Sequence, residues 1–286
     1  MFRIHVRILY INQRAKQMRH TATERFHQLH ATGCFVMPNP WNPGTARLFE
    51  QLGFDAVATT SSGHAWSIAK PDNAVTLEQA LRHFTEMAAA VSIPVNADFE
   101  HAFAEDAAAV AVNVDAAART GIAGLSVEDS TGHPADPLFE FDHAVDRIRA
   151  ARSAIDASGT NVLLTARTEG YVVGLPNLLE TIDRLVAFGE AGADCLYAPG
   201  ITDLDAIREI MAAVSPLPVN VLVGHGFATV SELSAMGVRR ISTGGALARV
   251  AWSSVIGAAT SIRETGSFAV LDSFVSGTNL DERFRT

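Results

Sequence analysis

Lysine is scarce in this 286-residue sequence, which contains Lys16 and Lys70 and takes the rest of its positive charge from arginine. A Schiff-base aldolase needs a lysine amine on a strand at its active site. Neither lysine lies in one of the β-rich runs described below. The sequence therefore excludes that mechanism.

Cysteine, long apolar runs and net positive charge are also missing. Cys34 and Cys195 lie far apart in apolar surroundings and have no metal-ligand spacing, so we expect two reduced core residues and a cytoplasmic protein. No stretch approaches the roughly 20 apolar residues of a membrane span. The formal net charge of −9 argues against nucleic acid and anionic membranes as partners.

One pattern repeats from Gly33 onward: a short β-rich run ends in polar or glycine residues, and an alanine- and leucine-rich helical stretch follows. Before this pattern, residues 1–25 form a basic arm that has no signal-peptide cleavage site. The β-rich runs lie at 34–41, 55–62, 94–100, 123–129, 161–167, 194–200, 218–224 and 239–245.

Eight such units predict parallel strands joined by right-handed crossovers. Their number and the lack of an internal linker favour a (β/α)8 TIM barrel over residues 26–265. The alternative is an open, doubly wound sheet, which would normally carry a glycine-rich dinucleotide fingerprint after its first strand. The corresponding stretch, MPNPWNPGTAR, has no such fingerprint.

The remaining residues, 266–286, form a C-terminal tail with Phe268, Leu271 and Phe274 in helical register. An apolar stripe beyond a finished barrel needs a surface to pack on. We therefore predict that this helical extension packs on a neighbouring subunit.

Carboxylates follow several of the predicted strands. Asp98 and Glu100 are two residues apart, so an extended chain would point both to the same side. Glu128 and Asp129 occupy the same level of the next strand, and Asp72 follows the second strand. Such a cluster would repel itself unless a cation neutralised it, and oxygen ligands favour Mg²⁺, with Mn²⁺ possible. A solvated strand end is the alternative interpretation.

Other strand ends supply candidate substrate and catalytic groups. Arg167 has the shape to bind a carboxylate through two hydrogen bonds, although it could simply pair with Glu169 or Glu128. Histidines near the predicted rim are general acid or base candidates where geometry supports them. The remaining strand-end positions are Trp41, Ser61, Ser62, Gly63, Tyr197, Asn220, Gly244 and Gly245, and the histidines are His64, His101 and His225.

Several of these stretches, taken together and in this order, resemble the isocitrate lyase/phosphoenolpyruvate mutase superfamily. They are NPWNPGTARLFEQLGFDAVATTSSGHA, PVNADFEHAF, GLSVED and LLTARTEGY, and the resemblance runs from about Phe26 to Gly266. It implies Mg²⁺ and a small 2-oxo acid or its enolate as ligands, and a homotetramer of subunit pairs that exchange a C-terminal helix.

The resemblance also implies roles for individual residues. Asp98 would bind the metal directly, and Asp72, Glu100 and Glu128 would bind it through water. Arg167 would hold the substrate carboxylate, and the backbone around Ser62, Gly63 and His64 would receive the oxo-acid oxygens. Apart from the resemblance, Trp41, Ser61 and Asn220 complete the expected substrate site, and Tyr197 and His225 are expected to take part in catalysis with Arg167. The residue that transfers the proton stays open among His225, His64, Tyr197 and Ser62.

Departures from the family pattern limit the expected reaction. The stretch VEDSTGHPADPLFEFD has no cysteine and no lysine, which argues against isocitrate or methylisocitrate cleavage and weakens the case for phosphonate chemistry. We expect a Mg²⁺-dependent lyase that cleaves a C–C bond of a small 2-oxo acid, as in oxaloacetate decarboxylation, through a metal-stabilised pyruvate enolate. The alternatives are a phosphonopyruvate hydrolase or phosphoenolpyruvate mutase, and a non-catalytic barrel that binds an oxo acid.

Overall fold

The structure, a computed structural model, describes residues 21–273 and 275–285. Residues 1–20 of the predicted arm, and Phe274 of the predicted apolar stripe, lie outside the described residues. The strands are β1 Phe35–Met37, β2 Val57–Ala58, β3 Val95–Asp98, β4 Gly124–Glu128, β5 Leu163–Arg167, β6 Cys195–Tyr197, β7 Val219–Leu222 and β8 Arg240–Ser242. Each lies inside one of the eight β-rich runs.

Helices follow every strand, and one more precedes the first. They are α1 Ala22–Ala31, α2 Pro43–Gln51, α3 Ser61–Ser67, α4 Leu77–Ala90, α5 Ala107–Ala118, α6 Phe141–Ser158, α7 Leu178–Glu190, α8 Leu204–Val214, α9 Val230–Ala235, α10 Ala246–Thr265 and α11 Gly277–Phe284. A short 3₁₀ helix, Ala269–Ser273, lies between the last two. No described helix combines the length and hydropathy that a membrane span requires.

All strand pairs in the sheet are parallel, in the order β1-β8-β7-β6-β5-β4-β3-β2. The two outermost strands, β1 and β2, approach each other through a single backbone hydrogen bond from the Ala58 amide to the Pro38 carbonyl, 3.1 Å long. The side-chain amide of Asn39 adds a second link by donating to the Thr59 carbonyl at 2.8 Å. The sheet is therefore the expected (β/α)8 barrel, nearly closed.

Local sequence signals set the ends of the helices. Thr21 caps α1, because its hydroxyl accepts from the Glu24 amide while the Glu24 carboxylate accepts from the Thr21 amide. Glycines with positive φ, such as Gly192 (φ 104°), turn the chain from a helix into the next strand. Gly192 stands in the stretch AGAD (191–194) just before β6, and Gly53 and Gly237 stand in similar stretches before β2 and β8. We call these the AGAD-type stretches.

The hydrophobic core has two parts. The larger part lies between the sheet and the outer helices, and the smaller part fills the N-terminal end of the barrel. Phe26 of α1 is fully buried in the smaller part, against Phe35 and Leu163. Helix α1 thus closes the bottom of the barrel, and it crosses the predicted boundary between residues 25 and 26.

Beyond the barrel, α10 ends at Thr265, and Gly266 turns the chain at φ 67°. The C-terminal residues then leave large apolar side chains in solvent, including Phe268, which is 65% exposed. Gln51 on α2 donates to the Arg283 carbonyl, so α11 contacts the barrel.

Candidate functional site at the carboxyl ends of the strands

Arg167, at the end of β5, is surrounded by carboxylates. Its Nη1 lies 3.2 Å from Asp98 Oδ1 and 3.3 Å from Glu128 Oε2, and its Nε donates to Glu169. Burial alone would lower the pKa of Arg167. The neighbouring carboxylates, chiefly Glu169 and Glu128, have the larger effect and raise this pKa. The guanidinium is therefore charged, and the surrounding carboxyl groups outnumber it.

A cavity of about 140 Å³ opens beside this cluster. Asp98 and Asp72 line it together with Arg167. Asp98 ends β3, and its second oxygen, Oδ2, accepts from the Ser61 amide at 2.9 Å. The structure therefore brings Asp98, Asp72, Ser61 and Arg167 to one cavity at the barrel mouth, as predicted for the carboxyl ends of parallel strands.

Glu100 reaches the cluster by a route that differs from the expected one. Strand β3 ends at Asp98, and Glu100 has φ 49° in the left-handed region. A local turn, and not the alternation of an extended strand, therefore directs this side chain. Glu100 is nevertheless buried, and Asp98 and Asp72 lie close enough to raise its pKa.

Burial and mutual repulsion raise the pKa of the acidic side chains around Arg167. Burial, then Asp98 and Asp72, raise the pKa of Glu100 to about 8. Burial raises the pKa of Glu128 well above its usual range, although Arg167 opposes this. The pKa of Asp72 is raised by its partial burial and by Asp98. Arg167 therefore does not offset the cost of ionising these carboxyl groups together.

The donor chemistry of these carboxylates fits Mg²⁺. All donors are oxygens, and an additional cation would lower the cost of ionising Glu100 and Glu128. Among the described residues, no three acidic, histidine or cysteine side chains converge as a ready coordination shell. Because Mg²⁺ keeps several waters and takes one or two carboxylates directly, Asp98 with water-mediated neighbours suits it.

Tyr197 and Asn220 form the wall of the cavity beyond Arg167. In the sheet, Arg167 pairs with Tyr197, and Tyr197 pairs with Asn220. The Arg167 guanidinium lies 5.2 Å from the centre of the Tyr197 ring. Burial raises the pKa of Tyr197 to about 12, so its hydroxyl keeps its proton at neutral pH.

The TTSSGH stretch starts the short helix α3. Ser61 and Ser62 line the cavity. The Gly63 amide donates to Thr60 Oγ1 at 3.4 Å, and the His64 amide donates to the Thr60 carbonyl at 3.0 Å. These two amides already have acceptors, so their predicted role in binding oxo-acid oxygens has no support in this geometry.

Six predicted site residues do not line the cavity, and they are Gly63, Glu100, Glu128, His64, Trp41 and His225. The His64 ring stacks on His83, with ring centres 3.8 Å apart, and burial lowers the pKa of His64. Trp41 packs its Cβ against Gly63, where close packing leaves no room for a side chain. His225 is exposed in the loop after β7, beside the Phe227 ring. Their predicted roles in substrate binding or catalysis stay predictions.

Several cavity residues were not among the sequence candidates. Asn39 follows β1, and its Oδ1 accepts from the amides of Thr243 and Gly244 at 2.9 Å each. Arg240 on β8, and Asn96 and Ser126 two residues before Asp98 and Glu128, also line the cavity. Polar residues at period two within otherwise buried strands were the available signal, since they share a face with the strand-end carboxylates.

Comparison with known proteins identifies the family. The family model described as phosphoenolpyruvate phosphomutase matches residues 26–263. The chain belongs to the isocitrate lyase/phosphoenolpyruvate mutase superfamily. Its members are lyases and mutases, which agrees with the resemblance seen in the sequence.

Individual members of the superfamily cover most of the chain. The structure of a putative lyase/mutase from Burkholderia cenocepacia is 44% identical, with a TM-score of 0.89, and the match covers 93% of this chain and 96% of that one. Oxaloacetate decarboxylase from Pseudomonas entomophila is 29% identical over 80% of both chains. Phosphonopyruvate hydrolase in complex with oxalate and Mg²⁺ is 24% identical, covers 92% and 95%, and at a TM-score of 0.82 shows the shared fold.

Proposed function

We propose that the protein is a Mg²⁺-dependent lyase that cleaves a C–C bond of a small 2-oxo acid, as in the decarboxylation of oxaloacetate. The observation that carries the proposal is the single cavity shared by Arg167, Asp98 and Asp72. There a charged guanidinium lies among carboxyl groups that outnumber it. The similarity to oxaloacetate decarboxylase supports the choice of reaction.

Arg167 is positioned to bind a substrate carboxylate. Its pairing with Glu169 and Glu128 holds the guanidinium in place on β5. Its ionic partner Asp98 is held in turn by the Ser61 amide. This preorganisation means that the substrate carboxylate meets a fixed, charged donor group.

Mg²⁺ bound at Asp98, with Asp72, Glu100 and Glu128 reached through water, would supply Lewis-acid stabilisation of the enolate oxygen that forms when the bond breaks. In decarboxylation, the bond between C3 and C4 breaks, carbon dioxide leaves and a proton is added at C3 of the enolate. Tyr197 is our candidate for holding this proton, because it lines the cavity and remains protonated at neutral pH.

A C–P reaction is the second candidate. The matching family model carries the name of a phosphomutase, and phosphonopyruvate hydrolase shares the fold. The same cavity chemistry suits both reactions, since each leaves an enolate of pyruvate. The identity of the group that leaves therefore separates the two candidates.

The test measures both reactions in parallel with the purified protein, with Mg²⁺ and with EDTA. Pyruvate release from oxaloacetate is corrected for the rate with Mg²⁺ alone, and phosphate release is measured with phosphonopyruvate. We expect protein-dependent, Mg²⁺-dependent pyruvate release that Asp98→Ala lowers by about a hundredfold or more. Asp115→Ala is the control, because Asp115 pairs with Arg119 on the surface of α5.

Each result has a distinct meaning. Phosphate release without pyruvate release from oxaloacetate would select the phosphonate reaction. Turnover that survives EDTA and the Asp98 variant would refute the metal-dependent proposal. Mg²⁺ binding that depends on Asp98, with no turnover of either substrate, would indicate a barrel that binds an oxo acid without catalysis.

We also propose that the protein forms a homotetramer in the cytoplasm. Exposed apolar side chains on α10 and beyond support the assembly, including Val255 at 59% and Phe268 at 65% exposure. The two free cysteines support a reducing compartment. Light scattering is expected to give four subunits for the wild type and fewer for Val255→Glu, and a monomeric wild type would contradict the assembly.

A further inference from the structure

Arg240 lies at the floor of the cavity, at the opposite end from the carboxylate cluster. It begins β8 and is 1% exposed, yet it lines the same cavity as Arg167. Its Nη1 contacts His30 of α1, the helix that closes the bottom of the barrel, at 3.2 Å. The cavity therefore extends from the barrel mouth down to a second buried guanidinium.

Arg240 has neutral partners where a buried arginine usually has a carboxylate. Its Nε donates to Asn220 Oδ1 at 2.9 Å, and its Nη1 faces His30 Nε2. Among the described residues, no acidic side chain pairs with it, and its hydrogen bonds use Nε and Nη1. A buried cation without a counter-charge is costly, so this position favours an anion in the cavity.

The state of His30 supports the neutral surroundings of Arg240. His30 Nδ1 lies 2.7 Å from the Phe26 carbonyl, which requires the proton on Nδ1 and leaves the lone pair of Nε2 to accept from Arg240. Burial, followed by the charge of Arg240, lowers the pKa of His30 to about 3. His30 is therefore neutral, and the positive charge at the cavity floor belongs to Arg240.

The two arginines of the cavity differ in their neighbours. Arg167 pairs with Asp98, Glu128 and Glu169, whereas among the described residues no acidic side chain pairs with Arg240. The mouth thus has several carboxyl groups around one arginine, suited to a cation, and the floor has a positive charge without an acidic partner, suited to an anion. At about 140 Å³, the cavity is several times the roughly 30 Å³ share of one water molecule in the liquid.

We propose that Arg240 binds an anionic group of the substrate at the cavity floor, and that the site therefore selects oxo acids with two anionic groups over those with one. Asn220 orients the guanidinium, and the remaining nitrogen, Nη2, supplies the hydrogen bond to the ligand. The inference rests on the proposed function, because it takes the ligand of this cavity to be an oxo acid. It assigns substrate selection to a residue outside the carboxylate cluster.

The test compares oxo acids matched in carbon number. Oxaloacetate is paired with 2-oxobutyrate, and 2-oxoglutarate with 2-oxovalerate, in the presence of Mg²⁺. Thermal stabilisation of the protein across a concentration series gives the apparent affinities, and KM gives a second measure for any acid that is turned over. We expect the wild type to bind at least one dianionic acid about tenfold or more tightly than its monoanionic partner.

Three variants locate the source of that preference. Arg240→Met keeps the apolar length of the side chain and removes the charge, so it should weaken dianion binding about tenfold to hundredfold and monoanion binding far less. Arg240→Lys keeps the charge without the planar fork and should retain part of the preference. Arg239→Met is the matched control, because Arg239 donates to the Gly33 carbonyl outside the cavity.

The outcomes separate this inference from the proposed function. A wild type without a preference for dianions, or an Arg240 variant that weakens both members of a pair equally, overturns the inference. If Arg240→Met does not fold, the wild-type preference and the Arg240→Lys variant decide the matter by the same criterion. Dianion selection that depends on Arg240, in a protein that turns over no oxo acid, would instead refute the proposed function alone.

Discussion

Asp129 is a buried residue behind the site whose carboxylate binds three donors. Thr168 Oγ1 lies 2.7 Å from it, the Glu169 amide 2.8 Å and Arg184 Nη1 3.3 Å. Asp129→Asn replaces one acceptor oxygen with an NH₂ group that faces donors. We expect the free energy of unfolding to fall by about 2–4 kcal/mol, measured by urea denaturation.

The control for this substitution is Asp115→Asn on the surface of α5. Asp115 pairs with Arg119 at 2.8 Å, but its side chain is 40% exposed. An exposed pair of this kind contributes little to stability, so the control should differ little from the wild type. Equal effects of the two substitutions would show that the three buried bonds of Asp129 contribute no more than a surface pair.

Residue types at strand ends were predictable, but the directions of their side chains were only partly so. Asp98 and Arg167 end strands, and strand alternation places them at the barrel mouth. Glu100 lies two residues after Asp98, in a turn with positive φ. The rule of strand alternation placed Glu100 in the correct cluster, but it assumed an extended backbone that the chain does not have there. The position of Arg240 could not be predicted from the sequence, because its distance from carboxylates arises only when the barrel is folded.

At the scale of elements, the contact between α1 and β4 depends on a glycine. A Cβ at Gly124 would lie 2.5 Å from Phe26 Cε1 and 2.8 Å from Asn96 Oδ1. Gly124→Ala should therefore lower the free energy of unfolding by about 1–3 kcal/mol through overpacking. Thermal and urea denaturation would measure this change.

A double-mutant cycle tests the cause. Phe26→Leu removes the ring atoms nearest to Gly124, so Gly124→Ala should cost less in the Phe26→Leu background than in the wild type. Gly257→Ala on α10 serves as the control, because its Cβ would meet nothing within 4 Å and alanine favours a helix. Additive effects of Gly124→Ala and Phe26→Leu would show that the ring is not what excludes a side chain there.

The order of strands and helices could be predicted because each βα unit carries its own signals. The AGAD-type glycines and the capping threonines mark element ends locally, whatever the rest of the chain does. The TTSSGH stretch shows the limit of local signals. It forms α3, in which Gly63 packs against Trp41 and Ala248, and the His64 ring stacks on His83 and does not line the cavity.

At the scale of the whole molecule, folding takes ionisable groups out of water at both ends of the barrel and within its helical layer. Burial lowers the pKa of His30 and of His83 to about 3 each. Burial raises the pKa of Glu100 to about 8 and that of Asp129 to about 6. The two histidines stabilise the folded state at higher pH, and the two acids stabilise it at lower pH. Because these contributions oppose each other, the pH dependence that is due to one group is measured by comparing the wild type with a variant of that group.

His83 of α4 offers the clearest case. It is 4% exposed and stacks on His64, which lies near the Glu86 carboxylate, and its Nε2 has no hydrogen-bond partner in the described part of the chain. Because the folded pKa lies below the unfolded value of 6.5, the unfolded chain binds more protons between these two values. The stabilisation is complete above pH 6.5 and is lost as the pH falls towards 3, by up to about 1.4 kcal/mol per pH unit.

His83→Phe keeps an aromatic ring on His64 and removes the titration. We expect the variant to lose about 1–2 kcal/mol less free energy of unfolding than the wild type between pH 7 and pH 5, measured by urea denaturation at several pH values.

His133→Phe is the control, since the His133 side chain is 72% exposed and folding hardly changes its contact with water. A pH dependence that is the same in the wild type and in both variants would mean that His83 is protonated as readily inside the folded protein as in the unfolded chain. In that case α4 would have to open to solvent on mild acidification, because a charged ring could not remain in its present apolar position.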